Sequence, residues 1–165
     1  MRKRPQFSSL PTASGGIARA AYARALGARL EVGPLLKSSD LTTHQIKNSQ
    51  ARMPCNNQIK FLNLVADELP DPFLGIHLAE GIDLREMGLL YYVIASSGTL
   101  GDALRRLARY SSINNEALRI TYRERKDVTV RFEYVGVSRL RDHQQIECFV
   151  VILIRLCRLL TCPLA

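Results

Sequence analysis

Residues 96–135 read SSGTLGDALRRLARYSSINNEALRITYRERKDVTVRFEYV, and the spacing of the apolar residues changes partway along. Leu100, Ala103, Leu104, Leu107 and Ser111 recur at three- and four-residue intervals, which places them on one stripe of a helix. Thr99 and Asp102 give that helix a capping-box-like start, in which a side-chain oxygen takes the free amide three residues on. Arg105, Arg106 and Arg109 lie off the stripe, with Asp102 three and four residues before the first two, at ion-pair spacing. Past Asn115 the period becomes two. Leu118, Ile120 and Tyr122 alternate with Arg119, Thr121 and Arg123; Val128, Val130, Phe132 and Tyr134 alternate with Thr129, Arg131 and Glu133. Two such runs joined by RKD predict an antiparallel hairpin with one apolar side.

Upstream the pattern is helical. IARAAYARALGA (17–28) is rich in strong helix formers, and Pro34 suits the first turn of a short helix through PLLKSS. Asp40 and Thr42 are candidate caps for TTHQIKN, and Pro54 in RMP disfavours helix at Met53. Asn56 is a candidate cap for a helix to about Leu69, with Ile59, Phe61, Leu62 and Val65 on its apolar side. FLGIHLAEG (73–81) predicts another short helix. MGLLYYVIAS (87–96) is apolar all round and predicts a buried one. Downstream, Asp142 is placed to cap HQQIECFVVILIRLCRLL (143–160). A hairpin cannot stand alone, so helices must cover its apolar side. The expected class is α+β: an N-terminal helical layer, then an antiparallel β-hairpin, then a long apolar helix.

The chain has 165 residues, the size of one domain. Residues 1–15, rich in Ser, Pro and Gly, are expected to form a disordered basic tail, leaving 16–165 as the domain. The net charge of +8 is unevenly spread, because residues 1–30 carry six basic side chains and no acid. The remainder holds 17 basic and 15 acidic side chains and is nearly neutral. The opening MRKRPQFSSLPTASGG has no apolar run behind its charges, unlike a secretory signal. CFVVILI (148–154) is too short to cross a bilayer, which takes about 20 residues, so no membrane partner is expected. Cys55, Cys148, Cys157 and Cys162 form no CxxC pair or regular framework and read as small hydrophobes of a reducing cytoplasm.

Chemistry-bearing motifs are sparse. The sequence holds no HExxH, GxxxxGK or GxSxG. His44, His77 and His143 are scattered, and the adjacent Asp67 and Glu68 diverge on a helix. No catalytic residue, metal ligand or cofactor is expected, and the chain reads as a non-enzyme. The seam between helices and hairpin is the candidate ligand site, with Tyr91, Tyr92, Tyr122 and Tyr134 as the polar tips of an apolar pocket. The alternative is that these tyrosines satisfy one another in a core. The wide apolar side of the last helix makes Phe149, Leu153, Leu156 and Leu160 candidate subunit contacts. The alternative is a central core helix of this chain.

Together ARALGA…VGPLLKSSDLT, ARMP, DPFLGIHLAEG and MGLLYYVIASSGTLGDALRRLARY resemble the N-terminal effector-binding domain of AraC-type transcription regulators, of the arabinose-binding type. The likeness extends over about residues 17–165. Phe73, Gly75, Ser97, Thr99, Leu100, Ala103, Leu104 and Tyr110 carry it and look architectural, so no ligand residue transfers. The resemblance implies a small-molecule effector, self-association as a homodimer, and DNA contact only through helix-turn-helix units beyond this domain. Because the sequence stops at TCPLA, the domain is expected to be truncated at its C-terminal end. A competing function is direct nucleic-acid binding through the basic tail and Arg105, Arg106 and Arg109, which would be steeply salt-dependent.

Overall fold

The change of period at Asn115 is a change of element in the computed structural model, which describes residues 10–137 and 142–162. In chain order, strand β1 (Thr12–Ala13) precedes helices α1 (Gly16–Gly27), α2 (Val32–Ser38) and α3 (Thr43–Lys47). Strand β2 (Met53–Pro54) leads into α4 (Cys55–Glu68), α5 (Leu74–Gly81), α6 (Leu89–Ala95) and α7 (Leu100–Tyr110), with 3-10 turns at Leu84–Met87 and Ser111–Ile113. Strands β3 (Leu118–Glu124) and β4 (Val128–Tyr134) and helix α8 (His143–Thr161) follow. The class is α+β, as expected.

The basic arm MRKRP lies outside the described residues. Residues 6–9 of the expected tail lie outside the described residues as well, whereas residues 10–15 are held against the fold. Thr12 pairs with Pro54 and Ala13 with Met53 in an antiparallel ladder, and Ala13 also bridges to Asn115. Arg52 fixes this segment by donating to Thr12 Oγ1 (2.7 Å), to Thr12 O (3.0 Å) and to the Ile113 carbonyl (2.9 Å). The Glu116 carboxylate accepts from the Thr12 amide (2.8 Å) and hydroxyl (2.9 Å). A short peptide with so many of its polar groups partnered holds its place despite a composition typical of loops.

Capping follows the sequence at two helices and departs from it at two. Thr42 forms a reciprocal capping box with Gln45 at α3, while Asp40 takes a left-handed backbone (φ 54°). At α7 the Thr99 hydroxyl accepts the Asp102 amide (3.1 Å) and donates to its carboxylate (2.8 Å). Asn56 does not cap α4: the helix starts one residue earlier, behind Pro54, and the Pro11 carbonyl takes the Cys55 amide (3.0 Å). Asp142 stands at the N-cap position of α8 without a capping bond from its side chain.

The hairpin has the expected register, with Leu118 opposite Tyr134, Ile120 opposite Phe132 and Tyr122 opposite Val130. Its apolar side is buried at Leu118 and Ile120 and emerges into solvent at Val128. Beside it, α7 buries Ala103, Leu104 and Leu107. Helix α6 corrects the sequence expectation of full burial. Only Leu90 and Ile94 are buried, whereas Leu89 and Tyr92 are 67% and 60% exposed. It packs along one side against α7 and the preceding 3-10 turn, so two positions four residues apart reach the core.

Helix α8 crosses α5 and also touches α4 and α7. It buries Gln144, Gln145, Cys148, Ile152 and Leu156, and leaves Val150, Ile154 and Leu159 exposed. Among the described residues, no helix is long and apolar enough to cross a membrane. Its start is fastened by Gln144, whose Oε1 accepts the Gly75 amide (2.7 Å) and whose Nε2 donates to the Pro72 carbonyl (3.0 Å). Further along, Arg155 donates to the carbonyls of Ala79 and Ile82 (2.7 Å for the latter), closing the C-terminal end of α5.

Candidate ligand chamber

Stripe residues of several elements face one another across a gap that they do not fill. Ile17, Leu90 and Leu107 come from the helices, Leu118, Ile120 and Phe132 from the hairpin, and Phe149, Ile152, Leu153 and Leu156 from α8. They enclose a cavity of about 110 Å³. A single water needs about 10–15 Å³, and about 150 Å³ of apolar cavity holds a benzene, so this space is of ligand size. Its lining is apolar with a few polar groups, the usual make-up of a small-molecule site. Ser14, Gly16, Ile82, Glu86, Met87 and Asn114 line both the chamber and a larger cleft outside it, so the chamber opens there.

The outer cleft is basic but its charges are largely engaged. Arg24 and His77 both meet Asp71, at 3.4 Å and 2.8 Å. Burial pushes the Asp71 carboxyl upward, but the bond and charge of His77, the Phe73 amide and Arg24 outweigh it and hold it below the ordinary value. Arg52 faces Glu116 at 3.7 Å as well as gripping Thr12. Desolvation lowers the Arg19 pKa, with the Glu86 charge acting in the opposite sense, and its Nη2 donates to the Ser14 carbonyl.

Two buried amides reach the chamber wall. Asn115 Oδ1 accepts the Ala117 amide at 3.0 Å and the Cys55 thiol at 3.1 Å. Burial, chiefly, pushes the Cys55 thiol up to about 11, so it stays a neutral donor near neutral pH. Gln58 Nε2 donates to Gln145 Oε1 at 2.5 Å, and Gln145 Nε2 in turn donates to the Tyr134 hydroxyl. Among the described residues, Gln58 Oε1 and Asn115 Nδ2 have no hydrogen-bond partner.

The four tyrosines read from the sequence do not converge, and none lines the chamber. Tyr91 and Tyr92 make an edge-to-face pair at 5.3 Å on α6, with Tyr92 exposed. Tyr122 lies under the Arg105 guanidinium (5.5 Å) and donates to Glu124 (2.6 Å). Tyr134, at the other end of the hairpin face, meets Gln145. The seam between helices and hairpin does hold a cavity, but leucines, phenylalanines and amides line it. Phe149, Leu153 and Leu156, read as subunit contacts, line the same chamber, and Leu160 packs half-buried against the core. The outward row of α8 is instead Val150, Ile154 and Leu159.

The remaining candidates are dispersed. Arg105 bridges Asp102 (2.7 Å) and Glu124 (2.9 Å), and Arg109 lies over Tyr110. Arg106 turns back to the Val93 carbonyl (2.8 Å) and Ser96 hydroxyl (2.9 Å), tying α7 to the end of α6. His44, His77 and His143 sit on three helices with different partners: Asn48, Asp71 and Gln144. Among the described residues, no group of three His, Cys, Asp or Glu side chains could hold a metal ion. Gln58 and Gln145 were missed in the sequence, although each lies on its helix's apolar stripe: Gln58 with Cys55, Ile59 and Leu62, Gln145 with Cys148, Phe149 and Ile152.

No curated protein matches the chain. A family model described as the arabinose-binding domain of AraC transcription regulators, N-terminal, matches residues 30–164. It covers the hairpin, α8 and every helix after α1, the elements that supply most of the chamber wall. The chain therefore belongs to the arabinose-binding-domain family of AraC transcription regulators.

Proposed function

We propose that this domain senses a small organic effector in the chamber and passes its occupancy to a helix-turn-helix DNA-binding domain outside these residues. The supporting observation is that helices, hairpin and α8 all contribute to one chamber wall. A ligand can bias a regulator only by preferring one arrangement of it, and an occupant touching all of these elements is placed to do so. The polar side chains at the wall are three amides (Gln58, Asn114 and Asn115), two serine hydroxyls (Ser14 and Ser111) and the Glu86 carboxylate at the opening, a set suited to holding a ligand, and the domain is read as a sensor and not an enzyme. It works in the cytoplasm as a homodimer, with the outward row of α8 as the surface for the second copy. DNA contact belongs to the helix-turn-helix domain.

A thermal-shift screen of small organic molecules tests this, run on the parent chain and on a Leu107→Phe, Leu153→Phe variant whose added rings occupy the chamber. A ligand at a hundredfold excess over its Kd raises the parent melting temperature by about 5–10 °C. The filled variant does not respond. Equal shifts in both proteins would remove the chamber from the account. Sedimentation as a monomer at every concentration would remove the homodimer.

A further inference from the structure

Among the described residues, the cleft outside the chamber leaves one charge without a bonded partner, and that charge stands at the chamber's mouth. Arg19, Arg24, Arg52, His77 and Glu86 line the cleft. Each of the four basic side chains is held by oxygens of the chain itself: Arg19 by the Ser14 carbonyl, Arg24 and His77 by Asp71, and Arg52 by Thr12, Ile113 and Glu116. The other terminal nitrogen of Arg19, Nη1, is buried, so this guanidinium turns no fork toward the cleft. Glu86 differs. It is exposed, and its carboxylate takes part in no hydrogen bond or ion pair with a described residue; Arg19 acts on it through space alone. Among the described residues that line the chamber, it is also the one ionisable side chain.

We infer that the chamber's ligand is an organic cation, an amine whose apolar body enters the chamber while its ammonium stays at the mouth beside the Glu86 carboxylate. The inference rests on the sensor function above and names the ligand class of that site. The apolar body follows from the Leu, Ile and Phe wall, and the cavity of about 110 Å³ holds about four or five carbon atoms by comparison with benzene-sized cavities. The head stays outside, because an ammonium drawn deep into that wall would lose its hydration with no opposite charge to replace it. At the mouth it keeps water and gains the attraction of Glu86. A carboxylate in the same place meets a like charge, and the bases that would offset it are already bonded. An alcohol can donate to Glu86 but carries no charge for it to attract.

Ligand-observed NMR titrations of the whole chain at low salt compare pentylammonium, 1-pentanol, pentanoate and methylammonium. Because Glu86 is exposed, pentylammonium is expected to bind about threefold more tightly than pentanol and about tenfold more tightly than pentanoate. That lead should shrink in about 0.5 M salt. Methylammonium, which has the charge without the body, should bind at least tenfold more weakly. Glu86→Gln should bring pentylammonium to the level of pentanol, and Glu86→Lys should move the preference to pentanoate. The chamber filled by Leu107→Phe and Leu153→Phe should bind none of them. Pentanol or pentanoate binding the parent as tightly as pentylammonium overturns the ligand class and leaves the sensor function standing. A preference for the amine that survives Glu86→Gln does the same, since the cation would then sit elsewhere. Methylammonium binding as well as pentylammonium would mean a surface ion pair and overturns the class too. If no probe binds the parent chain, the chamber is not a ligand site and both conclusions fall together.

Discussion

Gly75 on α5 and Gln144 on α8 meet backbone against backbone. A Cβ at position 75 would stand inside contact distance of the Gln144 carbonyl, and the Gly75 amide already donates to the Gln144 side chain. Glycine is needed here for close approach, because its own φ lies outside the left-handed range. Gly75→Ala should destabilise the chain by about 3 kcal/mol, the upper part of the range for overpacking, because rigid backbone and not a flexible side chain must yield. Urea unfolding followed by circular dichroism reads this directly; a change under 1 kcal/mol would mean that the helices slide apart freely.

Arg155 reaches from α8 to the carbonyls of Ala79 and Ile82 at the end of α5. Arg155→Leu removes charge-assisted bonds while keeping much of the apolar stem, and should cost about 2–3 kcal/mol. The same unfolding experiment checks it, and Gly75→Ala combined with it should be non-additive because both act on one helix pair.

Asp71 carries a pH dependence whose sign can be worked out. Its carboxyl is held below the ordinary value in the folded chain, so the folded state favours the ionised form. The resulting stability is fully present above the unfolded pKa, and it is lost as the pH falls through the folded one. Melting temperatures measured from pH 6 down to pH 2 should therefore fall more steeply for the parent than for Asp71→Asn. Parallel curves would show that the contacts with His77 and Arg24 carry no net preference.

The cysteines should separate by burial. Desolvation raises the Cys55 thiol to about 11 and, more strongly, the Cys148 thiol to about 12, whereas Cys162 is exposed. The thiolate is the reactive form. Iodoacetamide at pH 8 is thus expected to label Cys162 first, with Cys55 and Cys148 modified only on unfolding, as peptide mass spectrometry can follow. Early labelling of Cys55 would mean that its bond to Asn115 opens readily.

Direct DNA binding by this domain would draw on the Arg105 and Arg109 guanidiniums. Arg105 is occupied by Asp102 and Glu124. Fluorescence anisotropy with a labelled duplex is expected to show weak binding that Arg105→Ala and Arg109→Ala leave unchanged. A loss of affinity in these variants together with a steep salt slope would restore the nucleic-acid role.

Periodicity made the elements legible, and burial made some of them misleading. The step from a 3.6-residue to a two-residue period at Asn115 located α7 and the hairpin, because each residue's direction there is set by local geometry alone. MGLLYYVIAS misled, since its composition says how apolar a helix is and not which side a neighbour covers; solvent takes the side of Leu89 and Tyr92. The location of the chamber between helices and hairpin was legible, but its lining was not. Tyrosines drew attention as amphipathic side chains, whereas the polar side chains that line the cavity include Gln58 and Asn115. Asn115 could not be picked out, because its burial depends on Cys55, sixty residues away in sequence.

One-sided packing gives α6 fewer buried anchors than α4, α7 or α8. Its C-terminal end is tethered through Arg106, while at the other end Leu90 is the nearest buried anchor. Fraying from Leu89 onward need extract little more than that one leucine, and Leu90 is itself part of the chamber lining. Backbone hydrogens at the start of α6 should exchange with heavy water well before those of α4, since segments with few buried contacts open at low free energy. A guest that enters past Leu90 would arrive and leave at the pace of that breathing.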